Sequence, residues 1–377
     1  MKYYLIAGEA SGDLHGSNLM KGLKEVDNNA HFRFWGGDMM QSVGGTLVQH
    51  YKGSAIMGFV EVLKKLGTIS KNLKKCKEDI LKSSPDVIIL IDYPGFNFKI
   101  AEFAKKHGFR VFYYIAPKVW ASRERRIKKL KKYVDKLFII FPFEVPYFQK
   151  KGIDAIYEGN PLIDSIEQNP AIKESRQEFI KRYSLDDKPF IALLAGSRKG
   201  EISYLMPVFN QIADTLGERY NFLLAKAPSI EDEYYDRFIT SKYITPLSGA
   251  TYPILKHSVA AIIASGTASL EAALIGTPQI VGYGTSPITF WIAKQIVKLK
   301  YISLGNLIID KLAFKELLQK DFNKESVLTE LDNILNNNTY KQTMLSDYQA
   351  IRHALGGSGA SKRVAQKMFS HLGTEAK

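Results

Sequence analysis

Gly8-Glu9-Ala10-Ser11-Gly12-Asp13 separates a short apolar run, Tyr3–Ala7, from Leu14–Leu23, whose apolar spacing predicts a helix. A buried strand, a glycine-bearing turn and a helix start make half of a βαβ unit. Such a turn sets backbone N–H groups and a helix N-terminus at a sheet edge, where anions and sugars can be held. Gly8 and Gly12 do not complete G-x-G-x-x-G, and two carboxylates would repel a pyrophosphate, which argues against a dinucleotide. Ser11 or Asp13 as a helix N-cap is the structural alternative. It leaves Glu9 without a role.

A chain of 377 residues suggests two domains, and 45% hydrophobic with 24% charged residues fits a globular protein. No apolar run reaches the roughly 20 residues of a membrane-spanning helix, and the first run meets Glu9 too soon for a signal peptide. The single cysteine, Cys76, has no partner for a disulfide or a cysteine-based metal site, so a reducing cytoplasm is expected. The net charge of +14 suggests a polyanionic partner. Nine basic residues (Lys118, Arg123, Arg125, Arg126, Lys128, Lys129, Lys131, Lys132 and Lys136) lie in one segment with only Glu124 and Asp135. A solvated helix face explains such a run equally well. No nucleic-acid motif accompanies it, which favours a membrane surface or a phosphate.

Strand signals at Tyr3–Ala7, Phe32–Trp35, Val87–Ile91, Arg110–Ile115 and Leu137–Ile140 alternate with helical stretches such as Asn97–Lys106 and Ser122–Lys132. The pattern restarts at Phe190–Leu194, Asn221–Ala225, Ala260–Ala264 and Gln279–Val281, with helices at Glu201–Leu216 and Ala268–Ile275. Parallel sheets covered on both faces are expected: an α/β chain with Rossmann-like domains at 1–165 and 166–346. The tail, 347–377, is broken by Gly356-Gly357-Ser358-Gly359 and could cross back onto the first domain. Two such domains, facing each other across a cleft, bind ligands beyond the carboxyl ends of their strands.

Asp92 follows the strand Val87–Ile91 and precedes Tyr93-Pro94-Gly95-Phe96-Asn97. It is a candidate general base, or else a helix N-cap. With the ordinary aspartate pKa of about 3.9 it would be a weak base for an alcohol. Ala195-Gly196-Ser197-Arg198-Lys199-Gly200 follows a strand and opens a helix, which suits a phosphate. Ser265-Gly266-Thr267-Ala268-Ser269-Leu270-Glu271 repeats that arrangement. A diphosphate at this helix start would leave Glu271 near sugar hydroxyls; its plainer role is a carboxylate in the helix dipole. No D-x-D pair and no zinc-type His/Cys spacing occurs, so neither metal nor cofactor is expected. Phe59, Val62, Leu63, Leu66, Ile69 and Leu73 share a helical face, with Lys64, Lys65, Lys71, Lys74 and Lys75 around the rest. That is a core stripe or an interfacial helix.

Taken together, Gly8–Asp13, Met57-Gly58-Phe59-Val60-Glu61-Val62-Leu63, Ile91–Asn97, Gly196-Ser197-Arg198, Ser265–Glu271 and Phe290-Trp291 through Asn306 resemble the lipid-A-disaccharide synthase family, in its order and over nearly the whole chain. The resemblance implies a GT-B inverting glycosyltransferase. It would join UDP-2,3-diacylglucosamine to 2,3-diacylglucosamine 1-phosphate (lipid X), releasing UDP and a β-1,6-linked disaccharide 1-phosphate. It also implies a cytoplasmic protein held peripherally at the anionic inner-membrane surface, with a homodimer left open and no nucleic-acid partner. Asp92 would be the base. Ser197, Arg198, Gly266, Thr267, Glu271 and Asn306 would serve the donor, and Glu9, Ser11, Gly12, Asp13, Met57 and Gly58 would line the crevice. Phe59, Val62, Leu63, Leu66 and Ile69 would face the membrane. Gly95, Asn160 and Gly305 stand where the family commonly has aspartate, histidine and proline. A sugar-nucleotide epimerase of the same fold, or a non-catalytic basic binding module, are the competing readings.

Overall fold

The computed structural model describes residues 1–53, 61–120, 124–284 and 300–373, the side chains of residues 61–66 excepted. Two compact units result, Met1–Ser165 with Leu355–Lys377, and Ile166–Ala354. In the first unit the strands are β1 (Lys2–Ala7), β2 (His31–Gly36), β3 (Thr46–His50), β4 (Val87–Ile91), β5 (Val111–Tyr114), β6 (Lys136–Ile139) and β7 (Ala155–Tyr157). They form one sheet in the order β3-β2-β1-β4-β5-β6-β7, parallel throughout. The second unit has β8 (Phe190–Leu194), β9 (Asn221–Lys226), β10 (Ile244–Ser248), β11 (Ser258–Ala264), β12 (Gln279–Tyr283) and β13 (Glu316–Leu318). Their order is β10-β9-β8-β11-β12-β13, again parallel.

Parallel strands covered on both faces must be apolar along their whole length. The central strands β4 and β8 are buried at every residue. Alternate residues of the first sheet serve two cores. Tyr4, Ile6, Ile88 and Leu90 face one. Tyr3, Leu5, Ile89 and Ile91 face the other, which also takes Val364, Ala365, Met368 and Leu372 from the tail helix Ala360–Gly373.

The tail approaches the helix Ala10–Val26 closely at Gly22, where an added Cβ would lie 2.9 Å from the Ala365 Cβ. Gly356, Gly357 and Gly359 all take positive φ before that helix, the conformation glycine allows cheaply. The buried Asp164 carboxylate accepts hydrogen bonds from the Gly359 and Ser361 N–H groups at 2.6 and 2.8 Å. Arg363 donates to the carbonyls of Glu158, Gly356 and Ser358. Asn160 is likewise structural: its amide donates to Ile140 O at 2.9 Å and its side-chain oxygen accepts from Leu162 N at 2.9 Å.

Asp13 was expected in the crevice, but its buried carboxylate is fully used inside the fold. It accepts from the N–H groups of Gly37, Met39 and Met40 at 2.7, 3.0 and 3.0 Å, closing the N-terminus of the short helix Asp38–Val43. Nor does Ser11 or Asp13 cap the first helix: it starts at Ala10, Glu9 is the N-cap residue, and its side chain makes no capping bond. Ile69, expected to face a membrane, is half-buried against the core beside Leu73. Met57, Gly58 and Phe59, and the side chains of Val62, Leu63 and Leu66, lie outside the described residues.

Two substitutions test this framework. Asp13→Ala removes three charge-assisted acceptor contacts and is expected to destabilise the first unit by about 2–4 kcal/mol in chemical denaturation; a change under about 0.5 kcal/mol would contradict the role. Asp164→Ala is expected to speed amide exchange at Gly359 and Ser361 and to expose the glycine-rich turn to proteolysis. Unchanged exchange would show that the carboxylate does not hold the tail.

Candidate functional site

In the first unit, β1 and β4 are hydrogen-bonded neighbours, with Ala7 opposite Ile91. Their carboxyl ends therefore deliver Glu9 and Asp92 to the same sheet edge. Asp92 and Tyr93 both take left-handed backbone, at φ 42° and 46°. For non-glycine residues this costs about 1–3 kcal/mol each, so the surroundings must over-determine it. They do. The Asp92 N–H donates to Tyr114 O at 3.1 Å. Its carbonyl accepts from the Asn97 amide at 2.8 Å and the Tyr113 hydroxyl at 2.6 Å. The Tyr93 ring stacks on Phe96 at 5.5 Å and lies against Gly8, where a Cβ would sit 2.3 Å from Tyr93 Cγ. Gly8 is thus required by a close approach. Gly12 lets the first helix pack on Ala7, whose Cβ would be 3.1 Å from an added Cβ.

This clamp occupies the backbone N–H and carbonyl of Asp92, and its carboxylate is half-buried at the sheet edge. Burial, reinforced by the Glu9 charge, raises its pKa to about 6, although Lys118, the Tyr93 N–H and Arg126 pull it down. Glu9 and Ser11 are exposed. Gly95 is exposed as well, with open space around an added Cβ, so its departure from the family pattern disturbs no packing.

In the second unit, β8 ends at Leu194 and the helix Lys199–Leu216 begins with Arg198 as its N-cap residue, without a capping side chain. Glu201 organises the loop between them. Its carboxylate accepts from Ser197 N at 3.1 Å and pairs with Arg198 at 2.9 Å. Gly196, at φ 93°, leaves room for it: a Cβ there would meet Glu201 Oε2 at 2.2 Å. The Arg198 side chain stays 81% exposed, whereas Lys199 is paired with Glu231 and lies over the Tyr234 ring. Arg198 is therefore the more exposed of the two cations of this loop, although both are paired with a carboxylate.

The helix Thr267–Ile275 follows β11 and starts at Gly266, again without a capping side chain. Gly266 and Thr267 are exposed, so the N–H groups of this turn are open to an anion. Glu271, one turn on, accepts the Tyr252 hydroxyl at 3.0 Å, and burial raises its pKa. Asn306 does not join this set. It is fully buried, donating to Phe314 O and Glu316 Oε1 at 3.0 and 2.8 Å and accepting from Ala313 N and Phe314 N at 2.8 and 3.3 Å. It holds a loop rather than a ligand. A Cβ on Gly305 would lie 2.8 Å from the Phe314 ring, so that ring packs directly against the glycine.

Asn97, Tyr113, Glu201 and Tyr252 are the supporting residues that sequence reasoning passed over. Asn97 ends the motif Tyr93-Pro94-Gly95-Phe96-Asn97, and Glu201 carries the signal of an acid in the first helical turn. Tyr113 and Tyr252 are brought in by tertiary packing and had no local signal.

The chain matches the Lipid-A-disaccharide synthetase family over residues 3–368. It is 35% identical to the lipid-A-disaccharide synthase of Geobacter metallireducens, over 98% of this chain and 97% of that one. It is also 35% identical to that of Coxiella burnetii, over 96% of each. Among solved structures, the UDP-GlcNAc 2-epimerase of Methanocaldococcus jannaschii in complex with UDP-GlcNAc and UDP is similar, with a TM-score of 0.68 and 14% identity, over 98% of this chain and 100% of that one. At such identity the likeness is one of fold, the α/β GT-B class, and lends the epimerase reading nothing more. The sequence matches, by contrast, cover both sheets, the Asp92 turn and the Arg198 loop, and the chain belongs to the lipid-A-disaccharide synthetase family.

Proposed function

We propose that this enzyme transfers 2,3-diacylglucosamine from UDP-2,3-diacylglucosamine to the 6-hydroxyl of 2,3-diacylglucosamine 1-phosphate, giving the β-1,6-linked disaccharide 1-phosphate and UDP. The observation that carries the reading, beside family membership, is the half-buried Asp92 carboxylate on a backbone clamped in the left-handed region. An α-linked donor and a β-linked product require one inverting displacement. The acceptor O6–C1 bond forms as the C1–diphosphate bond breaks, and the O6 proton passes to Asp92. A carboxylate with a pKa of about 6 is a better base than an ordinary aspartate, yet remains ionised at neutral pH. The leaving diphosphate takes its stabilisation from Arg198 and the open helix starts at Arg198 and Gly266. Glu271 accepts sugar hydroxyls of the donor.

The acylated substrates place the enzyme at an anionic membrane surface, on its cytoplasmic side. No helix of the described residues is long and apolar enough to cross a membrane. Supporting peripheral attachment are the charge of +14 and the exposed lysines Lys71, Lys74, Lys128, Lys129, Lys131 and Lys132. Phe59, Val62, Leu63 and Leu66 supply the apolar side of that contact in this reading.

Asp92→Asn is expected to lower kcat by at least about 100-fold while UDP binding, measured by calorimetry, is kept; near-normal turnover would remove Asp92 from the role. The pH dependence has a definite sign. Asp92 must be ionised to accept a proton, so kcat/KM falls as pH drops through about 6. Glu9→Gln removes a charge that raises this pKa, so the acidic limb is expected to move to lower pH. A limb that stays in place, or moves up, would contradict the coupling.

A further inference from the structure

Two cations beside a general base are a puzzle. Lys118 and Arg126 both lower the pKa of Asp92 and so weaken it as a base. Their placement is nonetheless built into the fold. From Val111 to Val119 every residue is buried except Lys118. Ala116 and Val119 belong to the core on either side of it, so its backbone is fixed while its side chain reaches out. The loop is anchored just beyond. Trp120 Nε1 donates to the buried Glu144 carboxylate at 2.9 Å, and its ring meets Phe143 edge-on at 5.0 Å. The second oxygen of Glu144 accepts from Ile140 N and Phe141 N at 3.3 and 3.1 Å. The Lys118 side chain is exposed, and its charge acts on the carboxylates of both Asp92 and Glu144. Arg126 lies over the Phe98 ring at 5.8 Å. Asp92 is tied to the same strand, its N–H donating to Tyr114 O, four residues before Lys118.

We infer that Lys118, assisted by Arg126, binds the 1-phosphate of the acceptor sugar and thereby sets the 6-hydroxyl on Asp92. The inference rests on the proposed function, which supplies an acceptor with a phosphate one hexose ring away from its nucleophile. A bound phosphate monoester offsets the two cations that depress the basicity of Asp92, so the base strengthens when the correct acceptor is in place. A lysine held on a backbone fixed by buried neighbours also explains part of the basic segment 118–136 that membrane attachment does not require.

The test compares two acceptors, 2,3-diacylglucosamine 1-phosphate and the same sugar with a free 1-hydroxyl, in mixed micelles with the wild-type enzyme, Lys118→Ala and Lys118→Arg. Lys118→Ala is expected to raise KM for the phosphorylated acceptor about 10-fold or more, leave KM for the donor unchanged, and barely affect the free-hydroxyl acceptor. Lys118→Arg keeps the charge and should retain most of the preference for the phosphate. Equal losses on both acceptors, or no loss on either, would overturn the phosphate site while leaving the proposed function standing. No turnover of either acceptor by the wild-type enzyme would refute the proposed function and this site with it.

Discussion

The left-handed turn at Asp92 and Tyr93 is the constraint on which the proposed acceptor-side chemistry rests. Two adjacent non-glycine residues at positive φ are unfavourable on their own. They persist because Asn97, Tyr113 and the backbone of Tyr114 hold one residue, while Gly8 and Phe96 receive the ring of the other. Four elements thus converge on one carboxylate: the ends of β1, β4 and β5, and the helix Pro94–Lys106. The convergence also brings Glu9 and Lys118 within electrostatic range of Asp92, one raising its basicity and the other lowering it. The opposed charges around Asp92 are a direct result of parallel strands ending together.

The second unit solves a different problem with the same parts. It offers open helix starts rather than a strained carboxylate. Glu201 is essential to this, because a carboxylate in the first helical turn positions the Ser197 N–H and steadies Arg198 without covering it. Lys199, next in sequence and of equal charge, is drawn aside by Glu231 and Tyr234. Adjacent cations are therefore held by different partners.

Much of this was legible in the sequence, and the omissions have a common cause. The nine strands read from apolar runs are all present, within two residues at either end. The four strands missed, β3, β7, β10 and β13, are the four edges of the two sheets. Edge strands are only partly covered, so Thr46–His50 and Ala155–Tyr157 contain no fully buried residue, and the apolar run of Ala155–Tyr157 is too short to stand out. Asp13 and Asn306 were misread for a related reason. A polar residue in a glycine-rich or loop motif signals a hydrogen-bonding duty, but whether it serves a ligand or the backbone of a neighbouring loop depends on tertiary packing. The position of Asp92 at the end of the strand Val87–Ile91 was legible in the sequence, but its raised pKa was not, because its burial and the Glu9 charge come from elements far apart in sequence.

The most direct test of the whole account is a product analysis with the purified chain, UDP-2,3-diacylglucosamine and 2,3-diacylglucosamine 1-phosphate. The account predicts equimolar UDP and a single disaccharide 1-phosphate, whose anomeric proton coupling by NMR reports a β-1,6 linkage. An α-linked product would contradict the single displacement at Asp92. Release of UDP without a disaccharide, or epimerisation of plain UDP-GlcNAc in its place, would contradict the proposed transfer itself.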